Sequence, residues 1–596
     1  MNHTKPIQKD VLFLVSPIGT LWRTYPYIEP PYGASLVVSN LRKQGWGVTF
    51  IDLDLQLNHW QQRKLLLSAQ TLKRLQDWRK LLEQLDTLPQ DLKHLLERFG
   101  NFIQTEGYPY VALSLSRLSK KTKVYDAEFG FALALARFIQ SSNPCPVIFG
   151  GQNMSKIGRN SVERGIRHAP QKCADFFFYG DGAVSLPILL KALEDRNDRS
   201  ELTEHLQKSE AHVTWWREPG GIVTLGKGRK STVRSHAAGS KYALERDLLA
   251  VRPSFDIANA SLYPVSVNRI FPSAGRTRWA ARPISIIPYK FMYGCSHRCA
   301  FCKGAYQPLI VKPVAAVVDD LQYYVEQEGG RCFRFFNSQI NYTRKYVEQF
   351  CNEVVRRDLK FHFIDSACLR NMDKDVCAML REAGCVKLWF GLESPIEKIL
   401  TLIDKRLSLD DALTATQYAN EAGIWVGMNL ILGFPRESDG DFEQIQNFIE
   451  NYGKIVDCWN FSALQVYEQT PMHDRPADYG IRIHHHYRGK MRDKGFAFSE
   501  IDGLDWKARE RRARKRVDDC QLIVGADENR FRTNDYLIFA LYQEFEDKNL
   551  VKIHFDRFLD ELSGSMSLAD GSKWITPNKV LGFDSLSFLK RMESRE

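Results

Sequence analysis

The sequence predicts an α/β protein: an N-terminal doubly wound parallel sheet, then a partial β/α barrel, then a mainly helical C-terminal segment. Three observations predict this. Short apolar runs that end in Gly or Pro alternate with amphipathic stretches over residues 10–200. A second alternation, with strands spaced about 25–40 residues apart, follows over 285–478. From about residue 480 the pattern changes to charged, helical sequence. Hydrophobic residues are 44% and charged residues 26% of the 596, which excludes disordered, collagenous and fibrous classes. At about 150 residues per domain, three or four units are expected. With 82 basic and 71 acidic residues the net charge is +11. That permits an anionic cofactor or substrate without arguing for nucleic acid.

DVLFLVSPIG (10–19) reads as a buried strand and residues 30–46 as a helix stopped at Gly45. VTFIDLDLQL (48–57) is the second strand, and 58–105 a helical insertion with its own amphipathic faces. YVALSLS (110–116), PVIFGGQN (146–153) and DFFFYGDG (175–182) are further strands, with a helix over 129–140 and another from Ala183. Ligands bind beyond the carboxyl ends of such strands. The candidate loops are Ser16-Pro17, Ser114 to Leu118, Gly150 to Asn153 and Gly180 to Gly182. The polar, Gly-rich 212–284 reads as a connector. Barrel strands are expected at 332–337, 361–365, 386–391, 425–433 and 459–467.

Twelve cysteines are too dilute for a disulfide scaffold. The N-terminus has no apolar signal region, and no run of about 18 apolar residues occurs. The expectation is a soluble, cytoplasmic chain with reduced thiols that pack, ligate or react. Cys295, Cys299 and Cys302 form C-x3-C-x2-C, a spacing expected by chance about 0.005 times in such a chain. Incidental packing and a zinc site are the competing readings. A four-iron cluster wants thiolates, and three in one tight loop leave one iron open for a reactant.

The triad and its surroundings resemble the radical S-adenosylmethionine enzymes, in which this loop follows the first barrel strand and holds a [4Fe–4S] cluster. Phe301, before the last cysteine, matches the family's aromatic position. The resemblance implies that S-adenosylmethionine chelates the open iron and is cleaved to a 5′-deoxyadenosyl radical. Gly391-Leu392-Glu393-Ser394 resembles the family's G-x-E-S, whose carboxylate helps hold the cofactor. ILGFPRES (431–438) resembles G-[FL]-P-G-E-T, with Arg436 and Ser438 as departures. The cofactor set implied is Phe301, Gly391, Glu393, Ser394, Asn429 and Gly433. Asn337 and Asn341 stand where relatives carry acids and are read as substrate-specific changes, and Thr470-Pro471 resembles the closing turn.

The first 200 residues resemble the cobalamin-binding domain that precedes the barrel in one class of these enzymes. The matching pieces are P-P-Y-G (30–33), I-D-L-D (51–54), Gly150-Gly151 and Y-G-D-G-A (179–183). The implied cobalamin-binding residues are Gly33, Ser114, Ser116, Arg117, Leu118, Gly150, Gly151, Gln152, Asn153, Gly180 and Gly182. No D-x-H-x-x-G occurs, so by resemblance Arg117 or Leu118 faces the lower side of cobalt and withholds a strong ligand. The implied domains are a cobalamin-binding, Rossmann-like 1–211, a connector 212–284, a radical SAM TIM-like barrel 285–478 and a mainly helical 479–596.

The function expected is methylation of an unactivated carbon in a small molecule or peptide, served by a one-electron reductant of flavodoxin or ferredoxin type. Cobalamin, S-adenosylmethionine and the [4Fe–4S] cluster are the expected cofactors; membrane and nucleic-acid partners are not expected. A non-methylating radical enzyme and a non-catalytic iron–sulfur protein are the alternatives. A methylthiotransferase is disfavoured, since no second cysteine triad lies near the N-terminus. The candidate catalytic residues are Cys368, at the end of the third barrel strand, and Arg117. His484 to His486 reads as a solvated turn, and Lys507 to Arg516, seven basic residues and one acid, as a solvated helix before a nucleic-acid or peptide face. The C-terminal segment is expected to cap the substrate side.

Overall fold

The apolar VLFLV forms β1 (Val11–Val15), with all five residues buried, as a strand covered on both faces must be. The computed structural model describes residues 10–17, 29–61, 67–103, 107–115, 122–179, 182–195, 199–208, 213–218, 221–225, 249–258, 260–270, 277–488, 495–524 and 535–567. The chain forms two units, one ending at Tyr263 and the other starting at Pro264.

In the first unit β1 pairs in parallel with β2 (Val48–Asp52) and β3 (Tyr110–Ser114). β4 (Val147–Gly150) and β5 (Phe176–Phe178) continue the parallel sheet. β6 (Val213–Glu218) and β7 (Gly221–Leu225) close it antiparallel, giving the order β2-β1-β3-β4-β5-β6-β7. The sheet therefore runs past residue 211. Trp215 stacks on Phe176 at 5.4 Å, and Trp216 is fully buried, so β6 is core rather than linker. The second strand is shorter than its apolar run. The Asp52 carboxylate accepts from the N–H groups of Asp54 and Leu55, which starts a helix at Leu53.

Alternation in β1 divides the core. Val11, Phe13 and Val15 face α1 (Tyr32–Lys43). Leu12 and Leu14 belong with the helical insertion, α2 (Leu53–Gln61), α3 (Ala69–Gln76), α4 (Trp78–Leu82) and α5 (Gln90–Ile103), and with α6 (Thr122–Ser142). α7 (Gln152–Ile157) and α8 (Arg159–Arg167) follow β4, while α9 (Gly182–Asp195) and α10 (Arg199–Lys208) follow β5.

The second unit is a six-stranded parallel half-barrel in chain order. Its strands are β8 (Ile286–Tyr289), β11 (Cys332–Phe335), β12 (His362–Ala367), β13 (Cys385–Glu393), β14 (Trp425–Leu432) and β15 (Cys458–Ala463). A two-stranded clasp, β9 (Met292–Tyr293) with β10 (Ile310–Val311), follows β8. The helices between strands are α11 (Val314–Gln327), α12 (Arg344–Arg356), α13 (Lys374–Glu382), α14 (Glu397–Leu402), α15 (Leu409–Glu421) and α16 (Asp439–Tyr452). Thr343, Asp373, Ser408 and Ser438 cap four of them through their side chains.

The C-terminal part departs from three expectations. It opens with a hairpin, β16 (Ile481–Arg488) and β17 (Phe496–Glu500), so the His484–His486 run lies in a strand rather than a turn. Lys507 to Arg516 lies on α17 (Trp506–Ile523), where Arg509, Ala513, Arg516 and Cys520 are buried along one face. The helix is packed, not wholly solvated. Finally, α18 (Asp535–Tyr542) and α19 (Lys548–Ser567) close the amino end of the barrel, opposite the expected side. Asp535 accepts from Lys387 and Arg334 at 2.8 Å each. Lys548 donates to the Ile424 carbonyl and pairs with Asp457, and Tyr542 donates to the Gly423 carbonyl. Gly423, Ile424 and Asp457 lie just before their strands, and Lys387 lies in the amino-terminal part of β13. No helix among the described residues is long and apolar enough to cross a membrane.

Candidate active site at the carboxyl ends of the strands

The three cysteines lie in the loop between β9 and β10, off the carboxyl end of β8. Gly294 turns the chain into this loop at φ +75°, where a Cβ would stand 2.2 Å from the Pro308 carbonyl. The loop is bolted from two sides and braced within itself. Ala300 N donates to Ile403 O at 2.9 Å, and Met472 N donates to Ala300 O at 3.2 Å. Arg298 donates to Ala305 O, and Cys302 N to Cys299 O. Thus the Thr470-Pro471 turn fastens the cysteine loop. Cys299 is buried; Cys295 and Cys302 are half-buried. Burial pushes the thiols of Cys295 and Cys299 up to about 11, with the neighbouring thiols adding and Lys405 opposing. The triad thus forms one electrostatic group.

Glu393 ends β13 with φ +72°, and its carboxylate folds back over Gly391. A Cβ on Gly391 would lie 2.3 Å from Glu393 Oε1, so a side chain there would displace the carboxylate. Lys405 donates to the same oxygen at 3.2 Å. Ser394 is buried and accepts from Ile396 N, holding the turn. Asn429, on β14, donates to Phe390 O and accepts from Asn460. Phe301 meets Phe434 edge to face at 6.1 Å.

Gly433 has φ +80° and no room for a side chain, since a Cβ would stand 2.6 Å from the Ala513 Cβ. Its N–H and that of Phe434 donate to Glu437. Arg516 donates to the same carboxylate at 2.5 Å, and Arg509 donates to Gly433 O while its guanidinium lies 3.8 Å from the Phe498 ring centroid. The turn after β14 is therefore clamped by α17. Burial pushes Glu437 up against Gly433 and Arg516, which favour its charge.

Asn337 and Asn341 are buried clamps. Asn337 donates to Asp365 and accepts from Phe291 N, which ties β11 and β12 to the chain leading into the cysteine loop. Burial pushes Asp365 up to about 7 against these bonds. Asn341 donates to the carbonyls of Cys368 and Arg370 and accepts from Cys368 N. An amide, donor and acceptor at once, is what that loop demands; an acid could not donate. Substrate specificity is not needed to explain either residue. Cys368, one residue past β12, is half-buried and carries a thiol raised by burial; Cys295 raises it further and Lys405 lowers it.

In the first unit the strand order reverses between β1 and β3, which defines a switch-point crevice. Ser16 N donates to Ser114 O, and Leu115 N to Gly150 O. Gly151, at φ +98°, brings its backbone so close to Leu115 that a Cβ would lie 2.6 Å from the Leu115 carbonyl. At Gly33 and Gly150 a Cβ would meet no atom from elsewhere in the fold within 4 Å, so both backbones are open on that side. Gly182 lies at the start of α9, and Gln152 is exposed. Asn153 is fully buried and donates to Glu128 at 2.6 Å, a packing role rather than an open one. Asp52, in the I-D-L-D piece, caps α2 and accepts from Tyr263. Ser116, Arg117, Leu118 and Gly180 lie outside the described residues.

Three grouped thiols, an acid and a buried cation make a donor set suited to a cluster and a zwitterionic cofactor. Among the described residues no three His, Cys, Asp or Glu side chains form a single-ion site; thiolates on separate irons need not converge on one point. Sequence reading missed Lys405, which no motif marks, and the Glu437–Arg516 pair. Glu437 stands in the family's acid position, but its partner lies 79 residues away.

Residues 289–449 match the Radical SAM superfamily, and this chain carries a radical SAM domain there. Solved structures whose titles name cobalamin share a similar fold. A solved structure of TsrM from Kitasatospora setae, titled a radical S-adenosylmethionine methyltransferase with cobalamin and [4Fe–4S] cluster bound, aligns with TM-score 0.52 at 14% identity. It covers 94% of this chain and 100% of that one. Among curated proteins, the anaerobic magnesium-protoporphyrin IX monomethyl ester cyclase of Rubrivivax gelatinosus is 22% identical over 44% of this chain and 47% of its own length. The chain thus spans about half of that relative. The hopanoid C-3 methylase of Methylococcus capsulatus is 22% identical over 77% of this chain and 71% of its own.

Proposed function

We propose that this chain is a cobalamin-dependent radical S-adenosylmethionine enzyme that methylates an unactivated carbon of a small-molecule or peptide substrate. The observation that carries the reading is the Cys295, Cys299 and Cys302 group beside Glu393 at the carboxyl ends of a six-stranded β/α half-barrel. The switch point between β1 and β3 of the N-terminal sheet, with open backbone at Gly150, supports the corrinoid. When bound, the cluster and S-adenosylmethionine supply one-electron bond cleavage, and the corrinoid carries the methyl group.

The chain's own residues have definite work. The triad thiols deprotonate to ligate iron. Glu393 offers a carboxylate oxygen to the cofactor's ammonium, and Gly391 keeps that carboxylate unobstructed. Glu437 orders the N–H groups of Gly433 and Phe434. Arg509 and Arg516 keep the turn beside the barrel mouth rigid. Asn429 and Asn460 form an amide pair within the barrel that offers hydrogen bonds to a polar group. An external flavodoxin- or ferredoxin-type reductant is the electron source in this reading.

The test is anaerobic reconstitution. About four irons per chain, a corrinoid absorbance spectrum after desalting and 5′-deoxyadenosine formation under dithionite are expected. Cys299→Ala should lose iron and turnover together. A chain that retains no corrinoid overturns the methyl-transfer reading, and one that forms no 5′-deoxyadenosine overturns the radical one.

A further inference from the structure

Lys405 has no place in the motifs that mark the site, yet it sits at the centre of it. Its side chain is 13% exposed and its ammonium donates to Glu393 at 3.2 Å. The nitrogen lies 3.3 Å from where a Cβ on Gly391 would be, so that glycine makes room for the lysine as well as for the glutamate. Its segment is also tied to the cysteine loop: Ile403 O accepts from Ala300 N, one residue past Cys299.

The backbone is bent to deliver it. Asp404 and Arg406, on either side, hold φ of +52° and +50°, the left-handed region that non-glycine residues avoid. Two outliers, one on each side of this residue, mark a position that the surrounding structure over-determines. The anchors are visible: Lys405 N donates to Leu400 O, Ile403 O accepts from Ala300 in the cysteine loop, and Arg406 pairs with Asp404. The lysine's segment and the cysteine loop are thus hydrogen-bonded to one another.

We propose that Lys405 is a positioning residue of the iron–sulfur site: its buried ammonium raises the reduction potential of the cluster and holds the Glu393 carboxylate in place for the cofactor. The inference rests on the function proposed above. A fixed positive charge beside thiolate-ligated iron favours the reduced, more negative form, and low local dielectric strengthens the effect. In the absence of S-adenosylmethionine the ammonium occupies the cationic place that Glu393 offers. A cofactor ammonium at Glu393 would share that carboxylate with Lys405.

The experiment compares reconstituted wild type, Lys405→Met, Lys405→Gln and Lys405→Arg by iron content, spectroelectrochemistry and the electron paramagnetic resonance shift that added S-adenosylmethionine produces. Lys405→Met should keep its iron but fall in midpoint potential by about tenfold in the reduction equilibrium, roughly 59 mV for one electron. Its cofactor-induced spectral shift should need more S-adenosylmethionine. Lys405→Arg should restore the potential. If Lys405→Met fails to load iron, Lys405→Gln, which keeps a hydrogen bond to Glu393 without the charge, gives the same reading. An iron-loaded neutral variant with wild-type potential and cofactor response overturns the inference while leaving the proposed function standing. A wild-type chain that binds no cluster overturns both.

Discussion

Arg516→Met removes the guanidinium that joins α17 to the turn after β14 while keeping the aliphatic stem. Arg516 is 3% exposed and Glu437 fully buried. The substitution deletes bonds to Glu437 Oε1 at 2.5 Å and Ser438 O at 3.0 Å. The further pair with Asp439, whose side chain is 90% exposed, is worth little. Breaking a buried pair from one side costs about 3–5 kcal/mol. Glu437 keeps the N–H groups of Gly433 and Phe434, which puts the expected loss near the low end, about 3 kcal/mol. Hydrogen exchange read by mass spectrometry on α17 peptides should accelerate on the order of a hundredfold.

The loss should also depend on pH. Burial already raises the Glu437 carboxyl, and removing Arg516 raises it further. A carboxyl that holds its proton more tightly folded than unfolded stabilises the fold at low pH, and that contribution disappears as pH rises through its folded value. The penalty should therefore be larger at pH 8 than at pH 5, after correction for intrinsic exchange. Exchange within threefold of wild type, or a penalty equal at both pH values, refutes the reasoning.

Gly433→Ala should lower thermal stability and loosen α17, because the new methyl meets Ala513 at 2.6 Å in a left-handed backbone, at a cost of about 2 kcal/mol or more. Asp535→Ala removes the carboxylate that Lys387 and Arg334 share at the barrel floor; a destabilisation of about 3 kcal/mol is expected, seen as protease release of the chain beyond α17. Burial and then Arg381 lower His362 to about 4 from 6.5. The folded state thus binds fewer protons, and stability falls as pH drops from 6.5 toward 4, by up to about 3 kcal/mol. His362→Gln should flatten that slope in denaturant titrations.

Local chemistry made part of this protein legible without its fold. Short apolar runs such as VLFLV and WVGMNLIL read as strands covered on both faces, and their alternation with helices points to parallel sheets. The C-x3-C-x2-C spacing marks its loop because the three thiols are joined by a short stretch of chain. Elsewhere local pattern misled. The apolar run through Leu57 reads as strand until Asp52 turns to cap a helix, and Trp215 and Trp216 look like linker until they meet the sheet edge.

Only the tertiary structure decided what distant residues do to one another. It brings Arg516 onto Glu437, Asp535 between Arg334 and Lys387, and Lys405 beside Glu393 and the cysteine loop. A single charge in a sequence is most often solvated, so composition assigns the α17 arginines to water. Burial reverses that assignment. Once a charge leaves water it must find a partner, and the partner is chosen by where the chain folds back, not by what stands next to it.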